Sequence, residues 1–192
     1  MNYFESSVRV PLLVSYPQRF TPRRVTENVS TLDILPTMCD FVGMKPFAGL
    51  PMDGISLLPH LEGRKGHDTA VAEYTGEGTI SPLMMIRRGK WKYITCPADG
   101  SQLYNLEADP LELNDLVKGF SKRESVGIEQ GGDEAWNVFQ GFEEEAKAKW
   151  DFEKITQDVL LSQRKRRLVW SALKKGKFTS WDYNPIDDGR EK

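Results

Sequence analysis

The sequence has few cysteines, no long apolar run and no excess of basic residues. Its two cysteines, Cys39 and Cys96, are too few for a disulfide framework, so a reducing compartment is expected. The longest apolar runs, such as residues 10–14, are far too short to cross a bilayer, and no signal-peptide pattern opens the chain. With 28 acidic and 26 basic residues, the net charge of −2 argues against a general nucleic-acid binder. We therefore expect a cytoplasmic protein that binds neither a membrane nor nucleic acid.

The residues that are present fit a globular protein with helices and strands. A hydrophobic content of 39% and a charged content of 28% are ordinary for such proteins. The apolar run Val10–Val14 predicts a strand buried on both faces, as in a parallel sheet covered by helices. Apolar residues at helical spacing from Leu35 to Val42, followed by Gly43, predict a helix with Asp33 as its N-cap and glycine at its end.

A hairpin is predicted further along the chain. Trp91–Thr95 alternates large and polar side chains, Cys96–Gly100 has the proline and glycine of a turn, and Gln102–Leu106 returns as a second strand. Ala70–Ala72 and Leu83–Ile86 are two further strand candidates. Residues 91–106 are therefore expected to form an antiparallel hairpin.

The stretch between those two further strand candidates has the most suggestive chemistry. It carries Glu73, Tyr74 and Glu77 close to glycines, and a loop after a strand often holds groups that contact a ligand. Two carboxylates and an aromatic ring could hold a quaternary ammonium, which prefers negative charge and aromatic faces. The alternative interpretation is a solvated turn that binds nothing.

The last part of the chain is predicted to be helical after a linker. Residues 118–133 lose hydrophobic periodicity, whereas residues 134–150 and 152–175 follow helical spacing. The basic run at residues 163–167 is either a solvated helical face or a site for phosphate or an acidic partner. The aromatic tail at residues 178–185 is expected to pack against another surface, within the subunit or across an interface.

Several motifs together resemble type I sulfatases, members of the alkaline-phosphatase-like superfamily. Residues 87–116 contain R-x-G-x-W-K-Y and then L-Y-N-L-x-x-D-P-x-E-x-N-x-L, which resemble the C-terminal hairpin of that family. Residues 29–37 are similar to its V-S-x-x-D-x-x-P-T pattern, and residues 51–59 to its P-x-D-G-x-S-L-x-P loop.

Other blocks resemble choline sulfatases in particular. Residues 76–89 read G-E-G-x-x-x-P-L-M-M-I-R-R-G, and the C-terminal pattern comprises A-K-W-D (148–151), Q-D-V (157–159), S-Q-R (162–164) and G-K-F-T-S-W-D (176–182). The resemblance covers nearly the whole chain and is weakest over residues 118–133.

The resemblance implies the C-terminal part of an alkaline-phosphatase-like α/β sulfatase fold, with a partial parallel sheet, a small antiparallel sheet and C-terminal helices. It divides the chain into the end of the α/β core (1–69), an antiparallel-sheet subdomain (70–117), a linker (118–133) and a helical extension of the choline-sulfatase type (134–192). In that family the extension supports oligomer formation, which implies a homo-oligomer formed through the C-terminal tail.

The implied reaction of the complete enzyme is hydrolysis of choline O-sulfate, a sulfate ester, to choline and sulfate. The family uses Ca²⁺ and a formylglycine made from the first residue of C/S-x-P-x-R. Neither Cys39 nor Cys96 begins that motif, and the family's catalytic lysine would fall ahead of Met1. No catalytic residue, metal ligand or cofactor is therefore assigned to this chain, which is expected to be inactive alone and to need an N-terminal catalytic half.

Within this chain, the resemblance makes Glu77 the first candidate for contact with the quaternary ammonium and Glu73 the second. Tyr74 is the candidate aromatic wall. Three alternatives stay open: a non-catalytic assembly or binding module, part of a sulfatase or phosphonate monoester hydrolase with another substrate, and a nucleic-acid binder that uses the basic run at residues 163–167. The overall acidic balance argues most strongly against the third.

Overall fold

The structure, a computed structural model, describes residues 2–45, 51–76, 79, 81–119 and 134–176. Within these ranges, one four-stranded antiparallel sheet has its strands side by side in chain order. The strands are β1 (Thr69–Tyr74), β2 (Leu83–Arg88), β3 (Trp91–Cys96) and β4 (Gly100–Asn105). The predicted hairpin is confirmed as β3–β4, and Gly100 begins β4 with a φ of +82°, a conformation that favours glycine.

The two faces of the sheet carry separate apolar clusters, because successive side chains of a strand point to opposite sides. On the first face, sheet residues pack against helical residues: Met84, Ile86, Tyr93 and Leu103 against Phe142, Ala146 and Trp150. On the second face, the cluster comprises Tyr3, Met85, Ile94 and Tyr104. The sheet therefore has a core on each side, and the N-terminal residues help to form the second core.

Helices occupy most of the remaining regular structure. They are α1 (Glu5–Val8), a 3-10 turn (Thr31–Asp33), α2 (Ile34–Val42), α3 (Leu58–Leu61), α4 (Glu134–Lys149) and α5 (Phe152–Leu173). The predicted helices over 134–150 and 152–175 are confirmed, as is the end of α2 at Gly43, which has a φ of +68°. In the described ranges, no helix has both the length and the apolar composition needed to cross a bilayer.

The predicted strand over Val10–Val14 is wrong in this structure. These residues belong to no strand, and their side chains are exposed, with Val10 at 60% and Leu13 at 92%. A parallel strand needs neighbouring strands and covering helices. The only sheet in the described residues is antiparallel throughout, so nothing there pairs with this segment.

Asp33 lies at the N-cap position of α2, but its carboxylate does not cap that helix. It accepts hydrogen bonds from the backbone N–H of Ser30 (2.7 Å) and of Ile55 (2.8 Å), and it lies 3.0 Å from Nε2 of His67. Asp33 therefore caps the 3-10 turn before α2, where it forms a capping box with Ser30, and it also joins this turn to Ile55 and His67. Gly54 passes so close to Leu32 at this junction that a Cβ atom would overlap the Leu32 carbonyl.

A buried charge cluster fastens the N-terminal residues to the sheet. Lys92 of β3 is 0% exposed, and its Nζ lies 2.6 Å from Oε1 of Glu5, 2.8 Å from Oε1 of Glu112 and 2.9 Å from the carbonyl of Tyr3. Glu112 also accepts a hydrogen bond from the backbone N–H of Glu5, at 2.6 Å. Among the described residues, Glu112 Oε1 accepts no hydrogen bond. The positive charge of Lys92 therefore compensates the buried negative charge of the Glu112 carboxylate.

A second polar link joins α4 to the sheet. The hydroxyls of Tyr93 and Ser101 both donate to Oε1 of Glu143, each at 2.5 Å. Burial acts to raise the pKa of Glu143, but hydrogen bonds from Ser101, Tyr93 and Lys147 outweigh it and hold that pKa below its ordinary value of 4.5. The folded state therefore favours the ionised carboxylate.

Replacing Glu143 by glutamine is expected to lower the free energy of unfolding by about 1–2 kcal/mol at pH 7. Because the folded pKa of Glu143 is depressed, its contribution is complete above pH 4.5 and is lost as the pH falls through the lowered folded value. Urea unfolding at pH 7 and at pH 3 would measure this, and the difference between wild type and E143Q should shrink at the lower pH. A difference that stays constant with pH would contradict the assignment.

Candidate functional site

The candidate substrate residues lie at the end of β1 and just after it. Glu73 and Tyr74 are the last two residues of β1, an edge strand that pairs with β2 alone in the described sheet. Glu77, the first candidate from the sequence, lies outside the described residues. The site can therefore be built from Glu73, Tyr74 and the described residues that follow them.

Glu73 faces the junction between α4 and α5. Its Oε1 accepts a hydrogen bond from the indole N–H of Trp150 at 2.7 Å, and Trp150 is only 4% exposed. A buried indole N–H needs an acceptor, and a carboxylate makes the stronger, charge-assisted kind of bond. One oxygen of Glu73 thus has a fixed direction.

Tyr74 lies on the other face of the sheet. It packs against the cluster that contains Tyr3 and Met85, whereas Glu73 contacts Trp150 of the helical side. Burial raises the pKa of Tyr3, and the charges of Glu73 and Tyr74 raise it further. The Glu73 carboxylate therefore affects the pKa of Tyr3 on the second face of the sheet, although its own hydrogen bond is to Trp150 on the first face. The Tyr74 side chain lies on the second face.

A cavity of about 250 Å³ lies between α5 and the residues that follow β1, and neither Glu73 nor Tyr74 lines it. Its lining combines apolar, polar and charged groups: Thr75, Gly76, Ile155, Asp158, Val159, Ser162, Gln163 and Arg166. The side-chain amide of Gln163 donates to the carbonyl of Thr79. Sequence reasoning did not assign the α5 residues to the site, although Q-D-V and S-Q-R were among the choline-sulfatase-like patterns.

The described residues do not fit the Ca²⁺ site that the resemblance implies for complete enzymes. Among them, no group of three or more His, Cys, Asp or Glu side chains is arranged to hold a metal ion. Asp33, His60 and His67 lie together, with the imidazole centroids 5.3 Å apart, but backbone N–H groups already occupy the Asp33 carboxylate. We derive no catalytic step from these residues.

The chain belongs to a sulfatase family. The family model described as N-sulphoglucosamine sulphohydrolase, C-terminal, matches residues 2–128. A second family model, choline sulfatase enzyme C terminal, matches residues 157–192. The prediction of a C-terminal sulfatase portion is thereby confirmed.

Two sulfatases are similar to this chain over different shares of its length. The choline-sulfatase of Rhizobium meliloti (strain 1021) is 37% identical over 193 residues, which cover 100% of this chain and 36% of the relative. Arylsulfatase K of Mus musculus is 35% identical over 135 residues, which cover 62% of this chain and 24% of the relative. The chain thus spans roughly a third or less of the length of these curated relatives.

A solved structure supports the predicted fold class. The phosphonate monoester hydrolase of Agrobacterium radiobacter superposes with a TM-score of 0.50 at 25% identity, covering 66% of this chain and 25% of that one. The chain has the mixed helix and strand architecture of the C-terminal part of the alkaline-phosphatase-like sulfatase fold, with its small antiparallel sheet.

Proposed function

We propose that this chain forms the C-terminal part of a choline-sulfatase-like hydrolase, whose complete form converts choline O-sulfate and water to choline and sulfate. The observation that carries the proposal is the extent of the similarity. The Rhizobium choline-sulfatase matches the chain over its whole length, including the helical extension, whereas the arylsulfatase K relatives match 62% of it. The choline-sulfatase C-terminal family model falls on α5 and the residues after it.

The arrangement around β1 supports recognition of the cationic end of the substrate. A quaternary ammonium cannot donate a hydrogen bond and is stabilised by negative charge and aromatic faces. Glu73 places a carboxylate at the end of β1, in the lining of an open groove that also includes residues 8–33. In this proposal Glu77 and Glu73 supply the negative potential. Tyr74, predicted as an aromatic wall, packs on the face of the sheet opposite to the Glu73–Trp150 contact, so it is not assigned to the same pocket.

The reactive groups would come from an N-terminal catalytic half, with the formylglycine and Ca²⁺ of the family. Exposed apolar side chains support the presence of such a partner, because contiguous apolar surface usually marks an interface. They lie on residues 10–14 and on one side of α2: Val10, Leu12, Leu13, Val14, Leu35, Met38 and Val42. An open groove of about 2170 Å³ runs between residues 8–33 and the β1 edge of the sheet. The proposal further includes a cytoplasmic homo-oligomer formed through the C-terminal tail.

A chimera tests this proposal. The part of the Rhizobium choline-sulfatase that this chain matches would be replaced by the 192 residues, and hydrolysis of choline O-sulfate would be measured. We expect turnover that neither the truncated Rhizobium protein nor this chain shows alone. Because the cationic group contributes to binding, kcat/KM should be about 10-fold higher for choline O-sulfate than for 3,3-dimethylbutyl sulfate, its neutral isostere with the same kind of leaving group.

Two outcomes would favour other functions. A folded chimera that prefers a phosphonate monoester would support the second candidate, which rests on the similarity to the Agrobacterium phosphonate monoester hydrolase. Turnover by the 192-residue chain alone would contradict the assignment of the reactive groups to another polypeptide.

A further inference from the structure

The buried charge cluster around Lys92 contacts the N-terminal segment, defined here as residues 2–8, through two of its residues. Nζ of Lys92 donates to the carbonyl of Tyr3 at 2.9 Å and pairs with Glu5 at 2.6 Å. Glu112 accepts from the backbone N–H of Glu5 at 2.6 Å and pairs with Lys92 at 2.8 Å. Lys92 and Glu112 therefore bind each other and the N-terminal segment at the same time.

Glu112 holds its carboxylate in this cluster with a strained backbone. Its φ is +57°, and among the described residues it is the only non-glycine residue with a positive φ. A left-handed backbone is unfavourable for a residue that has a Cβ atom, and it persists where the surrounding contacts impose it. At Glu112 these contacts include the ion pair with Lys92 and the hydrogen bond from Glu5. Such strain is concentrated at residues whose placement matters for function.

Apolar packing fixes the same N-terminal segment. Tyr3 is 6% exposed and belongs to the cluster on the second face of the sheet. The ring of Phe4 meets the ring of Tyr104 edge to face, with the centroids 6.1 Å apart. From residue 9 onward the side chains are exposed, and they include the apolar residues 10–14. The fixed segment therefore ends just before the exposed apolar residues.

The N-terminal segment borders the open groove that Glu73 lines. Glu5 and Val8 of the segment, and Lys92 of the cluster, line this groove together with Glu73. Burial raises the pKa of Tyr3 and the charge of Glu73 raises it further, so the carboxylate lies close to the segment. In the proposed function, the polypeptide ahead of residue 2 belongs to the catalytic half, and residues 10–14 contact that half. Both ends of the segment therefore lead to the catalytic half, while its middle is fixed beside the groove.

We propose that Lys92 and Glu112 are positioning residues: by fixing residues 3–5 on the sheet, they set the position of the catalytic half relative to the groove that Glu73 lines. This inference rests on the proposed function for the presence of the catalytic half. Rates depend steeply on the placement of reacting groups, and a displacement of about 1 Å can cost about 100-fold. Neither Lys92 nor Glu112 is assigned a contact with the ester.

Glu5→Ala tests the fixation without leaving a buried charge unpaired, because Lys92 keeps Glu112 as its partner. Glu134→Ala is the matched control. Glu5 and Glu134 are each the first residue of a helix and each pair with a lysine, but the Glu134 side chain is 68% exposed whereas that of Glu5 is 24% exposed. Glu134 also lies outside the groove.

The first measurement is amide hydrogen exchange in the 192-residue chain. The N–H groups of Val8 and Arg9 donate to the carbonyls of Phe4 and Glu5, so their exchange reports whether the N-terminal segment stays folded on the sheet. In Glu5→Ala this exchange is expected to speed up about 10-fold while the amides of β3 keep their wild-type rates. Glu134→Ala should leave both sets of amides unchanged. Wild-type exchange at Val8 and Arg9 in Glu5→Ala would overturn the proposal.

The second measurement is turnover by the chimera. Glu5→Ala is expected to lower kcat about 10-fold for both choline O-sulfate and 3,3-dimethylbutyl sulfate and to leave both KM values unchanged, because the contact with the cation is not altered. The kcat is expressed per folded molecule, with the folded fraction taken from circular dichroism well below the unfolding temperature. A role in stability alone would leave that kcat at the wild-type value, and so would Glu134→Ala.

The outcomes separate this proposal from the proposed function. Faster exchange at Val8 and Arg9 with an unchanged kcat would overturn the positioning role. A chimera that prefers a phosphonate monoester would overturn the proposed substrate, and the kcat of Glu5→Ala on that ester would still decide whether the charge cluster positions the catalytic half.

Discussion

Replacing Lys92 by methionine is expected to lower the free energy of unfolding by about 3–5 kcal/mol. Methionine matches the length of the lysine stem, so the main change is the loss of the charge that compensates two carboxylates. Glu5 has a side chain that is 24% exposed and can recover some hydration, but the Glu112 side chain is only 3% exposed. The larger part of the cost therefore comes from leaving Glu112 ionised and unpaired in the interior. Urea unfolding at pH 7 would measure the difference.

The matched control is Lys90→Met, which removes a lysine two residues earlier. Lys90 pairs with the exposed Glu134 at 3.0 Å, and such surface pairs contribute less than about 1 kcal/mol. Adding Glu112→Gln to Lys92→Met should recover part of the loss, because it removes the unpaired charge. If Lys92→Met lowered the free energy of unfolding no more than Lys90→Met does, water would have to reach the Glu5 and Glu112 carboxylates. That result would contradict the burial of the charge cluster around Lys92.

Replacing Gly54 by alanine is expected to cost about 3 kcal/mol. The added Cβ would overlap the backbone carbonyl of Leu32 and lie 3.0 Å from the backbone nitrogen of Asp33. Both neighbours are main-chain atoms, so a rotamer change cannot relieve the overlap. The segment around Ile55 would have to move away, and the Ile55 N–H would lose its bond to Asp33. Thermal and urea unfolding would show the loss.

Gly141→Ala is the control for the general effect of adding a methyl group to a glycine. Gly141 lies inside α4, and a Cβ atom there would meet nothing within 4 Å. Alanine is the better helix former, so this variant is expected to gain up to about 1 kcal/mol. A Gly54→Ala variant as stable as wild type would show that residues 51–57 do not pack on the Leu32 turn.

The elements that the sequence predicted correctly are those set by local signals. The β3–β4 hairpin follows from alternating side chains around a turn that ends at Gly100, and α2 ends at Gly43 for the same kind of reason. The helices α4 and α5 follow from apolar residues at helical spacing. The sulfatase resemblance added what local patterns cannot provide, namely that these elements belong to one C-terminal unit.

The features that sequence reasoning missed depend on distant partners. Val10–Val14 has the composition of a buried strand, but a composition does not supply the neighbouring strands. Asp33 has the position of a helix cap, yet Ile55 and His67 compete for its carboxylate. Glu73 and Trp150 are 77 residues apart, and no periodicity in either segment indicates that they meet. Tyr74 follows Glu73 directly, but the pleat of the strand turns it to the opposite face.

The simple strand order of the sheet has a consequence for how the molecule assembles. Each strand pairs with the next one along the chain, so no pairing has to wait for a remote segment and the entropy lost at each closure is small. The four-stranded sheet can therefore form early in folding. Residues 3–8 then pack on one of its faces, and α4 and α5 pack on the other.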